Sequence, residues 1–192
     1  MSSPNALYQL VRVKTRDDGA NVVNREMRTS APHIWAAGDL RGDPMLETGA
    51  AKEGSIAAQN ALTKSEKTTN YLSVPRTVFT TPQLATVGLT EREVTEQGFA
   101  CNCRTISMEN VPKALITGQS RGLAKLVIDN KTHRILGVHI LSDLAADMIH
   151  EGTLTIEDII DTVHVFPTMS EATKLVAQSF TRDITNLSCC IE

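Results

Sequence analysis

Cys189 and Cys190 stand side by side in Leu187-Ser188-Cys189-Cys190-Ile191-Glu192. Consecutive Cα atoms across a trans peptide lie about 3.8 Å apart, short of the roughly 4.4–6.8 Å that a relaxed disulfide spans. A disulfide between them is strained, so the pair is expected as a dithiol. Two adjacent thiols on a tail suit a soft, thiophilic metal ion or a redox relay that swings between partners; an incidental frayed terminus is the alternative. A second pair, Cys101 and Cys103, falls on one face of an expected strand because side chains alternate there. Two ligands without a third or fourth nearby make a poor zinc site, so packing or simple exposure is the expected role, an auxiliary metal pair the alternative. Asp39 follows Gly38 at the end of the apolar run Ile34-Trp35-Ala36-Ala37. An acceptor-only carboxylate beside a glycine suits a sugar-like hydroxyl, or it caps a local turn or the helix that follows.

The elements that must position these groups fall into two patterns. In the first, Asp17-Asp18-Gly19 reads as a turn joining Val11–Val13 to Asn21–Val23. Ile34–Ala37 reads as a buried strand, with Asp39 just past its carboxyl end, where open α/β sheets place ligands. The alanine-rich stretch from Glu47 to Leu62 reads as a closely packed helix. In the second, Ala85–Leu89 is a strand and Thr90 with Glu93 forms a capping box for a helix reaching Gln97. Cys101–Met108, Leu123–Ile128 and Ile135–Leu141 are expected strands, the last two joined by a hairpin turn at Asp129–Thr132. Helices are expected over Leu144–Glu151, Ile156–Thr162 and from Ser170, as N-cap, to about Thr185, with Pro167 ending the preceding segment.

This order gives an α+β reading with domain boundaries at 1–63, a linker over 64–71, a second domain over 72–186 and the cysteine tail over 187–192. At 192 residues, with 41% hydrophobic residues and a net charge of −3, the chain has the composition of an ordinary soluble globular protein. Nothing is basic enough to suggest nucleic acid, and no apolar run is long enough to span a membrane. The first ten residues lack the layout of a secretion signal. The cytoplasm is therefore the expected compartment. Four cysteines in two tight pairs do not form the spaced framework of a secreted disulfide scaffold.

Taken in order, Thr29-Ser30-Ala31-Pro32-His33-Ile34-Trp35-Ala36-Ala37-Gly38-Asp39, Met45-Leu46-Glu47-Thr48, Pro75–Pro82 and Ala85–Thr90 resemble motifs of the flavin-dependent pyridine nucleotide–disulfide oxidoreductases. The resemblance implies the end of an FAD-binding α/β domain followed by a dimerisation domain with an antiparallel sheet and helices. It implies that Asp39 binds the ribityl chain of FAD, and that Met45, Leu46, Glu47 and Thr48 form the turn whose backbone approaches the flavin ring. It also implies a homodimer.

Within that family, the Cys189-Cys190 ending resembles the branch that reduces mercuric ion, in which such a pair captures Hg(II) and passes it to redox cysteines of the other subunit. Cys189 and Cys190 are thus the expected catalytic and metal-binding residues. Where most disulfide reductases of the family have His-Pro-Thr, this chain has Phe166-Pro167-Thr168. A phenyl ring cannot move a proton, so disulfide chemistry loses its usual acid–base catalyst, while reduction of a thiolate-held metal needs it less. Packing or an interface is the expected role of His164, a substitute acid–base the alternative. Thr153-Leu154 is all that connects Gly152 to Thr155, where the family's helix runs on further, so local packing there is expected to differ.

No G-x-G-x-x-G occurs and no cysteine precedes Cys101. The chain is therefore expected to be a carboxyl-terminal portion, with the NADPH site absent, the FAD site incomplete and no mercury reduction on its own. Two alternatives stand beside this reading. One is part of another flavin disulfide reductase, of thioredoxin reductase or dihydrolipoamide dehydrogenase type; the other is a non-catalytic dimerisation module with an incidental tail.

Overall fold

A computed structural model of the chain describes residues 11–63, 65–151, 155–161 and 168–183. The chain divides into two compact units, residues 1–70 and 71–192.

The first unit is built on turns and one long helix. The expected turn forms, but the flanking strands do not: Val11 and Arg12 lie in a turn, and a single antiparallel bridge joins Thr15 to Asn21. The expected turn is held by Gly19 N–H to Arg16 O at 2.9 Å and by Ala20 N–H to the Asp18 carboxylate at 3.0 Å. Gly19 supplies the positive φ the turn requires. The Ile34–Ala37 run departs from expectation. It is not a strand: Trp35 makes a single bridge to Arg28, flanked by Ala36 N–H to Met27 O. An apolar run becomes a buried parallel strand only when neighbours pair along it, and the described residues supply one bridge. The helix α1, Glu47–Thr63, forms as expected. It turns Gly49, Glu53, Ile56, Ala57 and Asn60 inward, at the i, i+3, i+4 spacing of one helical face.

The second unit is an antiparallel sheet of five strands in the order β1-β2-β5-β4-β3. The strands are β1 Arg76–Val78, β2 Gln83–Gly88, β3 Cys101–Ser107, β4 Leu123–Asp129 and β5 Ile135–Ser142. The helices are α2 Glu91–Glu96, α3 Pro112–Thr117, α4 Ala145–Met148, α5 Ile156–Asp161 and α6 Glu171–Gln178. Alternation gives the sheet two unlike faces. Ala85, Val87, Ile106, Leu126, Val138 and Ile140 point to one, where Met148, Ile149, Ile156, Ile159, Ala172 and Val176 cover them. Each fully buried Leu or Ile there stabilises the fold by about 1.5–3 kcal/mol. On the other face Thr86, His139, Lys125 and Thr105 lie opposite one another across β2, β5, β4 and β3.

Three local expectations change, and two elements are new. Edge strand β1 and helix α3 had no counterpart in the sequence reading. The Leu144–Glu151 helix breaks into α4 and a 3-10 turn, Ile149–Glu151. Ser170 is not a side-chain cap: it is already helical (φ −63°, ψ −19°), and the Glu171 carboxylate accepts from Thr168 N–H at 3.2 Å instead. Helix α6 stops at Gln178, well before Thr185, as Phe180 and Thr181 N–H groups fold back to Ala177 and Gln178 carbonyls. Cys189, Cys190, His164, Phe166, Pro167, Gly152, Thr153 and Leu154 lie outside the described residues.

Candidate functional site

In the first unit, the approach to Asp39 is set by short-range hydrogen bonds. The Thr29 hydroxyl donates to Ile34 O at 2.9 Å and accepts from Ala31 N–H at 3.1 Å, closing the turn before the apolar run. Arg28 lies 5.2 Å over the Trp35 ring and shields it. Past Ala37 the chain swings at Gly38 (φ +70°) into a 3-10 turn, Gly38–Arg41. A Cβ at residue 38 would sit 3.1 Å from Ala50 Cβ, so glycine serves both the dihedral and the close approach of the turn to α1.

The turn is anchored by a residue the sequence reading passed over. Glu53, on the inward face of α1 and only 1% exposed, accepts from Gly38 N–H at 2.7 Å and pairs with Arg41 at 3.0 Å. Arg41 also donates to Asp43 O. The one signal was a carboxylate at an i+3 step between Ala50 and Ile56. Asn60, two turns on, ties Glu26 O and Lys67 O with its amide N–H groups and accepts from the Ser65 hydroxyl and from Lys67 N–H through Oδ1. These contacts leave Asp39 exposed, and its carboxylate accepts no hydrogen bond from the described residues. The capping alternative therefore fails.

Met45 (φ +51°, 64% exposed) brings the chain into α1. Leu46 is half-buried and accepts Ala50 N–H at 2.8 Å, while Glu47 and Thr48 are exposed on the first turn of α1. The anchored turn thus carries Asp39 and precedes residues 45–48. Chemically, the surface offers carboxylate acceptors and an apolar methionine, and the nearby guanidinium of Arg41 is engaged with Glu53 and Asp43. That set fits the hydroxylated chain of a flavin and not its pyrophosphate.

In the second unit, Cys101 and Cys103 share the sheet face that carries Lys125, and both are half-buried free thiols. The Glu91 carboxylate lies close to Cys103. Glu91 in turn meets Lys125 Nζ at 2.6 Å. That contact holds the Glu91 carboxyl below its ordinary range, and burial followed by the Glu91 and Cys101 charges pushes the Cys103 thiol up to about 12. Along the same face a pocket of about 260 Å³ is lined by Tyr71, Arg76, Thr86, Glu93 and His139 among others. His139 Nε2 lies 3.2 Å from Leu89 O, which only accepts, so Nε2 carries the hydrogen. Burial lowers the His139 pKa.

Residues 74–177 match the family described as pyridine nucleotide-disulphide oxidoreductase, dimerisation domain, and residues 2–54 match pyridine nucleotide-disulphide oxidoreductase. The chain belongs to this family. The boundary between the two matches falls near the division of the two units, and the antiparallel sheet with its helices is the family's dimerisation domain. Among curated oxidoreductases of the family, the mercuric reductase of Streptomyces lividans is 44% identical over 186 residues, covering 94% of this chain and 39% of that protein. The mercuric reductase of Staphylococcus aureus is 39% identical over 184 residues, covering 93% of this chain and 34% of its own length. The chain thus spans well under half of either relative.

Solved structures agree on the fold. The HOCl-induced flavoprotein disulfide reductase RclA of Escherichia coli superimposes with a TM-score of 0.78 at 28% identity, covering 89% of this chain and 41% of that one. LpdA of Mycobacterium tuberculosis gives 0.80 at 24% identity over 88% of this chain and 38% of its own, a likeness of fold. Among the described residues, no helix is long and apolar enough to cross a membrane.

Proposed function

We propose that this chain is part of an FAD- and NADPH-dependent reductase of Hg(II), supplying its dimerisation domain and the thiols that capture the metal. The observation that carries the reading is the vicinal pair Cys189-Cys190 in a chain 44% identical to a mercuric reductase. Hg(II) is the substrate, a soft ion that favours thiolates; adjacent cysteines resist closing on each other as a disulfide and so stay available for stepwise ligand exchange. FAD, when bound, would supply the redox chemistry between NADPH and the metal. Asp39 would accept from its ribityl hydroxyls, and residues Met45–Thr48 would hold its ring. Glu53 holds the turn that carries Asp39 and precedes the 45–48 stretch. In the assembled enzyme residues 1–63 complete the FAD domain, 64–71 link, 72–186 form the homodimer and 187–192 carry the thiols, in the cytoplasm.

The test is Hg(II) titration of the full chain. The Cys189→Ala, Cys190→Ala double variant is expected to lose one equivalent of bound metal per chain, and an unchanged stoichiometry would defeat capture by the tail. A second reading, a flavin enzyme for disulfides, is favoured by the likeness to the RclA disulfide reductase. Phe166 in place of a proton-transferring histidine weighs against it. An enzyme containing this chain that reduced a protein or small-molecule disulfide faster than Hg(II) would reverse the order.

A further inference from the structure

We propose that Arg104 is a positioning residue for metal delivery: it pins the end of α6 to the sheet and thereby fixes the point from which Cys189 and Cys190 are tethered. The inference rests on the function proposed above, which gives those thiols their task.

Arg104 pairs with Leu126 of β4, so on edge strand β3 it has the parity of the core-facing residues and stands on the face that α6 covers. A charge at such a position needs partners. Nη1 donates to Asn102 Oδ1 at 3.1 Å and to Cys103 O at 3.0 Å, which steadies the guanidinium on its own strand. Nε donates to Ser179 O at 3.3 Å, and the guanidinium carbon lies 5.5 Å from the centre of the Phe180 ring. One side chain thus joins β3 to the two residues that follow α6.

Those two residues begin the run towards the thiols. Phe180 packs against the core cluster and donates its N–H to Ala177 O, while the Thr181 and Arg182 N–H groups both return to Gln178 O. A cation beside the final carbonyls of a helix is favoured by their partial negative charge, and over an aromatic ring by its π face. From Arg182, the last residue of this turn, seven residues lead to Cys189, a span of at most about 25 Å. With Arg104 removed and the turn released, the fixed point retreats to Gln178, where α6 ends, eleven residues from Cys189. By the −3/2 power of tether length, the effective concentration of the thiols at their target then falls about twofold. An inward charge on an edge strand also discourages pairing with another chain, but that role has no bearing on how the thiols act.

The experiment uses the NADPH-reduced enzyme containing this chain, mixed with one equivalent of Hg(II) and followed through a single turnover by flavin absorbance. Four forms are compared: the parent, Arg104→Ala, Cys189→Ala with Cys190→Ala, and all three changes together. Arg104→Ala is expected to slow the turnover about twofold when the thiols are present and to change nothing when they are absent. An equal slowing in both backgrounds, or none in either, would overturn the proposal. A tail variant as fast as the parent would remove the capture function itself, and the task of Arg104 with it.

On the full chain, amide exchange at Phe180, Thr181 and Arg182 should rise about tenfold in Arg104→Ala, through loss of one hydrogen bond and one cation–π contact, while β4 keeps its protection. Uniform loss of protection would make Arg104 a residue of the fold alone and overturn the proposal. Should Arg104→Ala not fold, Phe180→Leu keeps an apolar group against the core and takes the ring from the guanidinium. It is expected to reproduce the thiol-dependent slowing, and a slowing independent of the thiols would count against Arg104 in the same way.

Discussion

Glu53 holds the first unit's functional turn from the far side. Its carboxylate is 1% exposed and satisfies both Gly38 N–H and the Arg41 guanidinium. Removing it takes the acceptor from Gly38 N–H and from the half-buried Arg41 guanidinium, which keeps Asp43 O, at about 1–3 kcal/mol and towards the upper end for a charged group. Glu53→Ala is therefore expected to destabilise the first unit by about 3 kcal/mol, read from urea unfolding, and Glu53→Gln by less, since an amide oxygen still accepts from Gly38. Equal, negligible effects would show that the turn is held by something else. His139 gives a pH dependence in the second unit. Burial lowers its pKa below the unfolded value of about 6.5, and Lys125 lowers it too, while the Leu89 carbonyl and Glu93 raise it. The unfolded chain then takes up the proton first, so this contribution is complete above about pH 6.5 and is lost as pH falls towards the folded value. In His139→Gln, which keeps a donor for Leu89, the fall in urea midpoint between pH 8 and pH 5.5 should be shallower than in the parent; identical slopes would remove His139 as its source.

At the scale of elements, α2 decides what the open sheet face presents, because it carries Glu91 to Cys103 and Lys125. Two devices place it. The capping box is complete: Thr90 Oγ1 accepts from Glu93 N–H at 3.2 Å and Glu93 accepts from Thr90 N–H at 2.8 Å. Gly88 and Gly137 face each other where β2 leaves the sheet, and a Cβ at residue 137 would lie 1.9 Å from Leu89 O. Thr90→Ala should cost about 1 kcal/mol, whereas Gly137→Ala should reach the upper end of the roughly 1–3 kcal/mol of overpacked sites; chemical denaturation of both variants tests the ranking. The capping box was legible in the sequence because its chemistry lies within four residues. So were α1 and β2 to β5, whose apolar spacing follows one period. Strand β1 was not, since Arg76–Val78 is three residues with no alternation to read. Helix α3 leaves Leu115 and Ile116 exposed, so it lacks an apolar face to announce it. Ile34–Ala37 misled for the converse reason: its apolar run is local, whereas a strand needs neighbours. Glu53 and Glu91 were missed because a carboxylate's partner is set by packing between elements distant in sequence.

For the whole molecule, the two units differ in what holds them. The described buried apolar residues of the first are Val13, Ala20, Met27, Ala31, Ala36, Ile56 and Ala57, mostly small. Those of the second include Ile106, Met108, Leu126, Ile128, Ile140, Met148, Ile149, Ile156 and Ile159 in one continuous cluster. A domain of this size is marginal even with a full core, and alanines contribute little burial to the first. The two units should therefore not unfold in a single step. Trp35 is the chain's one tryptophan and lies in the first unit, so its fluorescence reports there, while the far-ultraviolet strand signal is dominated by the five-stranded sheet of the second. In urea the fluorescence midpoint should precede the circular dichroism midpoint, since non-coincident probes mark independent transitions. Coincident curves would overturn that independence.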